Sequence, residues 1–234
     1  MLSALLGLGL ALLVLWLVLR RYEGAFNERC VFIGITVGLM LGLLSFLFHG
    51  FLDIVLFPPS VSGFLVYVVG FAVLDTMMIF VVLNSKWVRG QNDAAFTGAA
   101  VGAGFSASGV MGLTYAATSP AGGLTPIGLL SLTGIALSST LFRISAGAIL
   151  GIGSATSTPW HGAAKAFLAQ IPFGTLFMLV YYAGIYFEMW LWVPVVLLML
   201  GYTGWLSRFV IRVYLSESLP GDVKRALRRQ RRRR

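Results

Sequence analysis

The chain is a succession of apolar runs of membrane length separated by short polar breaks. Residues 2–19 are apolar apart from Ser3 and are closed by Arg20 and Arg21, a run of about the length that crosses the hydrocarbon layer as a helix. It lacks the basic start, shorter apolar core and small-residue cleavage site of a secretory signal, so it is expected to remain as a membrane helix. Further runs at 31–50, 62–83, 94–117, 124–155, 164–187 and 189–207 predict six more spans. The run 124–155 is longer than one untilted crossing needs at 1.5 Å per residue, and a break or kink near Thr140 is expected. The prediction is an all-α polytopic membrane protein, a bundle of about seven transmembrane helices over residues 1–215 followed by a basic tail at 216–234.

Composition agrees with this pattern. With 58% hydrophobic and 11% charged residues, 234 residues cannot hide their apolar surface in a water-soluble core. The net charge of +9 would otherwise raise nucleic acid as a partner, but 8 of the 17 basic residues fall between Lys224 and Arg234. Lys224, Arg225, Arg228 and Arg229 are spaced for a short basic surface helix, which anionic lipid headgroups attract at about 1 kcal/mol per basic residue. No nucleic acid is expected. Cys30 is the sole cysteine, so neither an intrachain disulfide nor a cysteine metal cluster can form.

The positive charges also set an orientation. Arg20, Arg21, Arg29, Lys86 and Arg89 lie in the loops after the first and third spans, Lys165 lies just inside the sixth, and the alternating loops have no Lys or Arg. The positive-inside rule then predicts an N-terminus outside and a cytoplasmic C-terminus. The aromatic cluster of Trp160, Tyr181, Tyr182, Tyr186, Phe187, Trp190 and Trp192 is expected at the membrane interfaces.

Two ionisable residues sit deep within spans, Asp75 in the third and Arg143 in the fifth. Both spans descend in the same sense and the two residues lie at similar fractional depth, which predicts a buried ion pair. Thr76, Ser139 or Ser145 could complete its hydrogen bonds. Such a pair is either a substrate or proton site or a clamp that fixes helix register. On the fourth span Ala95, Ala99, Ala103 and Ala107 recur every fourth residue beside Gly98, Gly102 and Ser106; Gly147 and Gly151 do so on the fifth. Rows of small residues let helix backbones approach closely in lipid, so the fourth span is expected to be a central, tightly packed helix, with packing inside the bundle favoured over a dimer face.

Catalytic motifs fail on inspection. SASG at 106–109 is a near miss for the serine element of rhomboid proteases, but His49 and His161 are predicted at opposite faces and leave Ser108 without a base. Neither HExxH nor GxGD occurs, and Asp75 has no second deep carboxylate with which to share a proton. His49 and Asp53 share a helix face at i+4, which fits a capped interfacial helix end better than a metal site. No cofactor or metal is expected.

The order of features resembles the PrsW-like intramembrane protease family, which is similar in turn to the CAAX prenyl proteases. The segment FAVLDTMMIFVVLNSKWVRGQNDAAFTGAAVGAGFSASGVMGLTY resembles the family's centre, the glycines and alanines of 98–107 its Gly-rich helix, LFRISAGAILGIG its Arg-containing helix, and RRYEGAFNERCVF its first cytoplasmic loop. The likeness in layout covers about two thirds of the chain. Against that pattern, Asp75 and Thr76 replace a glutamate pair, Ser108 replaces a glutamate, Ser145 replaces the histidine, and the lysine position is apolar, while Arg143 is kept. The resemblance therefore implies a protease-like scaffold without its catalytic set, in the plasma membrane of a prokaryote. Thr76, Ser108 and Ser145 would mark the former active-site cleft, and a lipid or membrane-protein partner would bind there. An accessory subunit of a larger membrane complex, and a small transporter or channel using Asp75 and Arg143, are the competing expectations.

Overall fold

The computed structural model describes residues 2–56, 61–118, 125–186 and 192–215, without the side chains of 51–56, 61–62, 118 and 181–186. Every regular element among them is helical, and seven helices are long and apolar enough to cross a membrane. The chain is a multi-pass helical membrane protein. We number these helices α1 (Leu2–Tyr22), α2 (Glu28–Leu56), α3 (Val61–Leu83), α4 (Ala94–Thr118), α5 (Pro126–Ala155), α6 (Pro159–Tyr186) and α7 (Trp192–Tyr214). Single π turns at Leu5–Gly9 and Val210–Tyr214 interrupt α1 and end α7.

Apolar runs locate these helices, but several ends lie beyond the runs. Helix α2 starts at Glu28 and reaches Leu56, and α6 starts at Pro159. Hydrophobicity marks the depth of hydrocarbon, whereas the backbone ladder continues through the interface, where a proline suits the first helical position. The expected break near Thr140 does not occur: α5 is one continuous helix of 30 residues, about 45 Å long at 1.5 Å per residue. Thr125 caps it, accepting from the Gly128 amide at 3.1 Å, and Pro126 occupies its first turn. The hydroxyls near its middle leave the ladder intact. Ser145 bonds the Leu141 carbonyl of its own helix at 2.7 Å, and Ser139 and Thr140 reach Ser106 on α4 at 3.4 and 3.2 Å.

Helices α4 and α5 form the centre. Their spans are 83% and 78% buried, against 28–39% for the other five, which present Trp16, Phe32, Leu47, Val81, Leu168 and Leu198 outward as lipid-facing residues do. Small residues make this centre possible. A Cβ at Gly98 would collide with the Gly147 carbonyl, one at Gly102 with the Arg143 carbonyl, and one at Gly151 with the Ala94 carbonyl. At such separations dispersion acts over the whole backbone surface. The opposite face of α4 receives α2 in the same way, with Gly38 against the Val101 carbonyl and Gly104 against the Ile35 carbonyl. The α2 row Gly34, Gly38 and Gly42 obeys the same spacing rule and is absent from the expectations above.

One end of the bundle is knitted by loops. The Asn27 amide donates to Asp93 at 3.3 Å, the Gly90 amide to the Ser154 carbonyl at 3.3 Å, and the Ser154 hydroxyl to the Leu83 carbonyl at 2.6 Å. Tyr22 donates to the Ile211 carbonyl at 2.6 Å, and Lys165 to Tyr214 at 3.3 Å. These contacts bring the connections after α1, α3 and α5 and the end of α7 to a common face, which carries Arg20, Arg21, Lys86, Arg89 and Arg212.

Candidate functional site

The half of the bundle away from that basic end contains a cavity of about 340 Å³ between α2, α3, α4, α5 and α6. Asp75 and Arg143 lie at its floor. The Asp75 side chain is fully buried, and its Oδ2 accepts a hydrogen bond from Arg143 Nη2 and another from Gln170 Nε2 at 3.3 Å. Its Oδ1 accepts from the Ser45 hydroxyl at 2.6 Å. Arg143 Nη1 closes the ring by donating to Gln170 Oε1 at 3.2 Å.

The guanidinium lies 4.7 Å from the Phe105 ring centre and 5.7 Å from that of Phe142, so aromatic faces cover the cation where the carboxylate does not. Phe142 stacks in turn on Phe173 of α6, with ring centres 4.3 Å apart. The pressed contact of Gly102 on the Arg143 carbonyl fixes where this guanidinium starts from. Isolated charges at this depth cost several kcal/mol, and mutual pairing with hydrogen bonds to the remaining lone pairs offsets that cost.

Above the ion pair the walls are mostly apolar, with Phe46, Phe71, Phe105, Leu113, Phe173 and Phe177 among the lining residues. His49 stands beside the pair. Its Nε2 is buried without a hydrogen-bond partner among the described residues and lies 3.6 Å from Asp75 Oδ1, beyond hydrogen-bond reach. The imidazole rests on Phe71, ring centres 3.6 Å apart, with Tyr67 at its edge.

The structure therefore brings Asp75 and Arg143 together, but with Ser45 and Gln170 as their hydrogen-bonding companions in place of Thr76, Ser139 or Ser145. Ser139 does line the cavity. Thr76, Ser108 and Ser145 are not among its lining residues, so the three expected cleft positions do not share this cavity. Ser108 hydrogen-bonds the Gly104 and Phe105 carbonyls of its own helix, both at 3.3 Å, and packs against Gly42. Gly98, Gly102, Gly147 and Gly151 meet at the α4–α5 contact, and Ser106 bridges it by its hydroxyl. His161 is exposed at the start of α6, at the opposite end from His49.

No group of three or more His, Cys, Asp or Glu residues suited to a metal occurs among the described residues. Lys224, Arg225, Arg228 and Arg229 of the tail, the Asp53 side chain, and the side chains of Tyr181, Tyr182, Tyr186, Phe187 and Trp190 lie outside the described residues. No protein-family model, no curated protein and no solved structure matches the chain.

Proposed function

We propose that this is a non-catalytic integral membrane protein whose cavity holds an amphipathic, lipid-like ligand. The observation that carries this reading is the division of the cavity into apolar aromatic walls and a polar floor closed by a compensated ion pair. Binding sites for small amphiphiles combine mostly apolar lining with a few convergent polar groups. The volume of about 340 Å³ suits one chain-sized body. A partner helix, about 10 Å across with its side chains, is too large for it.

Water activation by the floor is poorly supported. Ser45, Arg143 and Gln170 already occupy the Asp75 carboxylate, and a general base must be free to take a proton. This accords with a PrsW-like scaffold stripped of its catalytic set, which is the ancestry we propose on the likeness of layout. A transporter is favoured less because the cavity lining stops at the ion pair, and below it α4 and α5 touch backbone to backbone. The gathering of basic residues on one face supports a cytoplasmic location for that face, with the cavity toward the outer leaflet of a prokaryotic plasma membrane. The basic tail then meets anionic headgroups on the inner side.

Native mass spectrometry of the purified protein, with extraction of its co-purifying lipids, tests this reading. Gly109 and Gly174 both line the cavity; a Cβ at Gly109 meets nothing within 4 Å, and one at Gly174 meets only Val68 at 3.5 Å. Gly109→Leu and Gly174→Leu therefore fill the cavity from opposite walls. A stoichiometric adduct on the wild type that both variants lose is the expected result. Equal adducts on all three proteins, or none on any, would defeat the proposal.

A further inference from the structure

Ser106 of α4 and Ser139 of α5 line one wall of the cavity, and Thr140 adjoins them. Thr140 is fully buried, and its hydroxyl has one partner among the described residues, Ser106 at 3.2 Å. A buried hydroxyl that leaves its hydrogen unused bears the full cost of losing water, so Thr140 donates and Ser106 accepts. Ser106 in turn donates to Ser139 at 3.4 Å. A hydroxyl has a single hydrogen to give, and that of Ser139 has no acceptor among the described residues. Ser139 is only partly buried and stands between Ile135 and Arg143 at i+4 spacing, on the face of α5 that lines the cavity. Its hydrogen is therefore available to a ligand.

The floor one turn below adds donors and no open acceptor. Asp75 is fully buried, its oxygens taken by Ser45, Arg143 and Gln170, and His49 Nε2 is turned onto it and closed to a ligand. The Gln170 oxygen accepts from Arg143. Arg143 spends one hydrogen on Gln170 and one on Asp75, and its guanidinium carries more. An ammonium head would set donors against these donors. A carboxylate or phosphate accepts, but it buries an unpaired charge beside an arginine that Asp75 already neutralises. A hydroxyl accepts from Ser139 and then needs an acceptor for its own hydrogen. A carbonyl oxygen accepts with two lone pairs and brings no hydrogen.

We infer that the cavity takes the carbonyl end of an uncharged acyl chain, with Ser139 donating to the carbonyl oxygen, an assignment that rests on the ligand-binding reading above. At about 30 Å³ per water-sized group, the volume of about 340 Å³ takes on the order of eleven heavy atoms. That is the size of a medium-chain ester, or of the carbonyl end of a longer chain. The same carbonyl occurs in free esters and in the acyl esters of membrane lipids, and the bilayer in which binding is measured separates the two sources.

Equilibrium dialysis of radiolabelled methyl octanoate, decanol and undecane, all of that size, against the full chain in nanodiscs of ether-linked phospholipid tests this. Ether-linked lipid carries no acyl carbonyl to compete, and protein-free nanodiscs give the partition baseline. Saturable binding of methyl octanoate is expected, with decanol and undecane weaker by about tenfold, the worth of one well-made hydrogen bond. Ser139→Ala should bring methyl octanoate down to the level of undecane and leave undecane itself unchanged, a pattern that loss of the fold does not produce. Ser139→Thr, which keeps the hydroxyl, should keep most of the preference. Weaker methyl octanoate binding in ester-linked nanodiscs would support the assignment with membrane-lipid esters as the source, and equal binding there would support it with a free ester. Decanol or undecane binding as tightly as methyl octanoate, or a preference for the ester that survives Ser139→Ala, would overturn the head-group assignment and leave the cavity reading standing. If none of the three binds saturably, both fall.

Discussion

The same two helices, α4 and α5, behave differently at their two ends. Toward the basic face, Gly98 and Gly102 meet Gly147, Gly151 and the Arg143 carbonyl so closely that neither a side chain nor a water fits between them. From Ser106 outward the helices carry Val110, Leu113 and Ile135, and the cavity begins. The ion pair stands at the boundary. Apart from Asp75, Phe105, Arg143 and Gln170, the lining of the cavity comes from the half of each contributing helix away from the basic face, Gly42–Gly50 on α2 and Phe173–Phe177 on α6 among them. Residue size alone thus makes one half of the bundle a rigid plug and leaves room in the other, and the charges are placed where the plug ends.

The strongest way to break this contrast is to remove one member of the ion pair. Arg143→Met leaves a carboxylate buried without its cation and is expected to cost about 3–5 kcal/mol of stability. Asp75→Leu combined with Arg143→Met removes both charges and should recover most of that loss, because a well-packed apolar pair avoids the desolvation penalty. Unfolding titrations in mixed micelles measure all three proteins. A single substitution that costs under about 1 kcal/mol would show that the pair is not what fixes α3 against α5.

A smaller effect tests the plug itself. Gly102→Ala or Gly147→Ala forces a methyl group against backbone that cannot rotate away, at an expected cost of about 1–3 kcal/mol. Gly109→Ala, on the same helix as Gly102 but with open space around its Cβ, should fall within about 0.5 kcal/mol of the wild type. Comparable losses at Gly102 and Gly109 in the same titration would erase the distinction between the two halves.

What the sequence made legible follows from physical cost. Asp75 and Arg143 stand out because an ionisable group in an apolar run is expensive and needs a partner, and counting from the ends of the runs matched their depths. Ser45 and Gln170 did not stand out, since neutral polar side chains are cheaper in a span and carry no sign that demands a complement. His49 read as a helix end because the apolar run stops at Gly50, whereas α2 continues to Leu56 and places His49 inside the bundle. Thr76, Ser108 and Ser145 do not line this cavity for a reason of helical phase. At 3.6 residues per turn, Ser145 is rotated roughly 200° from Arg143, Ser108 roughly 200° from Ser106, and Thr76 roughly 100° from Asp75. A resemblance in order along the chain does not preserve that phase. The continuity of α5 was out of reach as well, because length alone cannot separate a break from a helix that runs on past the hydrocarbon.

The smallest expected difference separates two serines. Ser45 donates to the buried Asp75 carboxylate at 2.6 Å, so Ser45→Ala removes a hydrogen bond to a charged acceptor and should cost about 1.5–3 kcal/mol if nothing replaces it. His49 Nε2, 3.6 Å from Oδ1, can close on it and take the place of the lost donor, which lowers the expected loss to about 1 kcal/mol. Ser108→Ala removes only a bond to carbonyls that its own helix already uses, so its cost should lie within about 0.5 kcal/mol. Neither substitution should disturb the α4–α5 plug, since neither touches Gly102 or Gly147. Thermal melts of the two variants side by side measure the difference. A larger loss at Ser108 than at Ser45 would move the functional centre back toward the position that the protease-like layout marks, and away from the cavity floor.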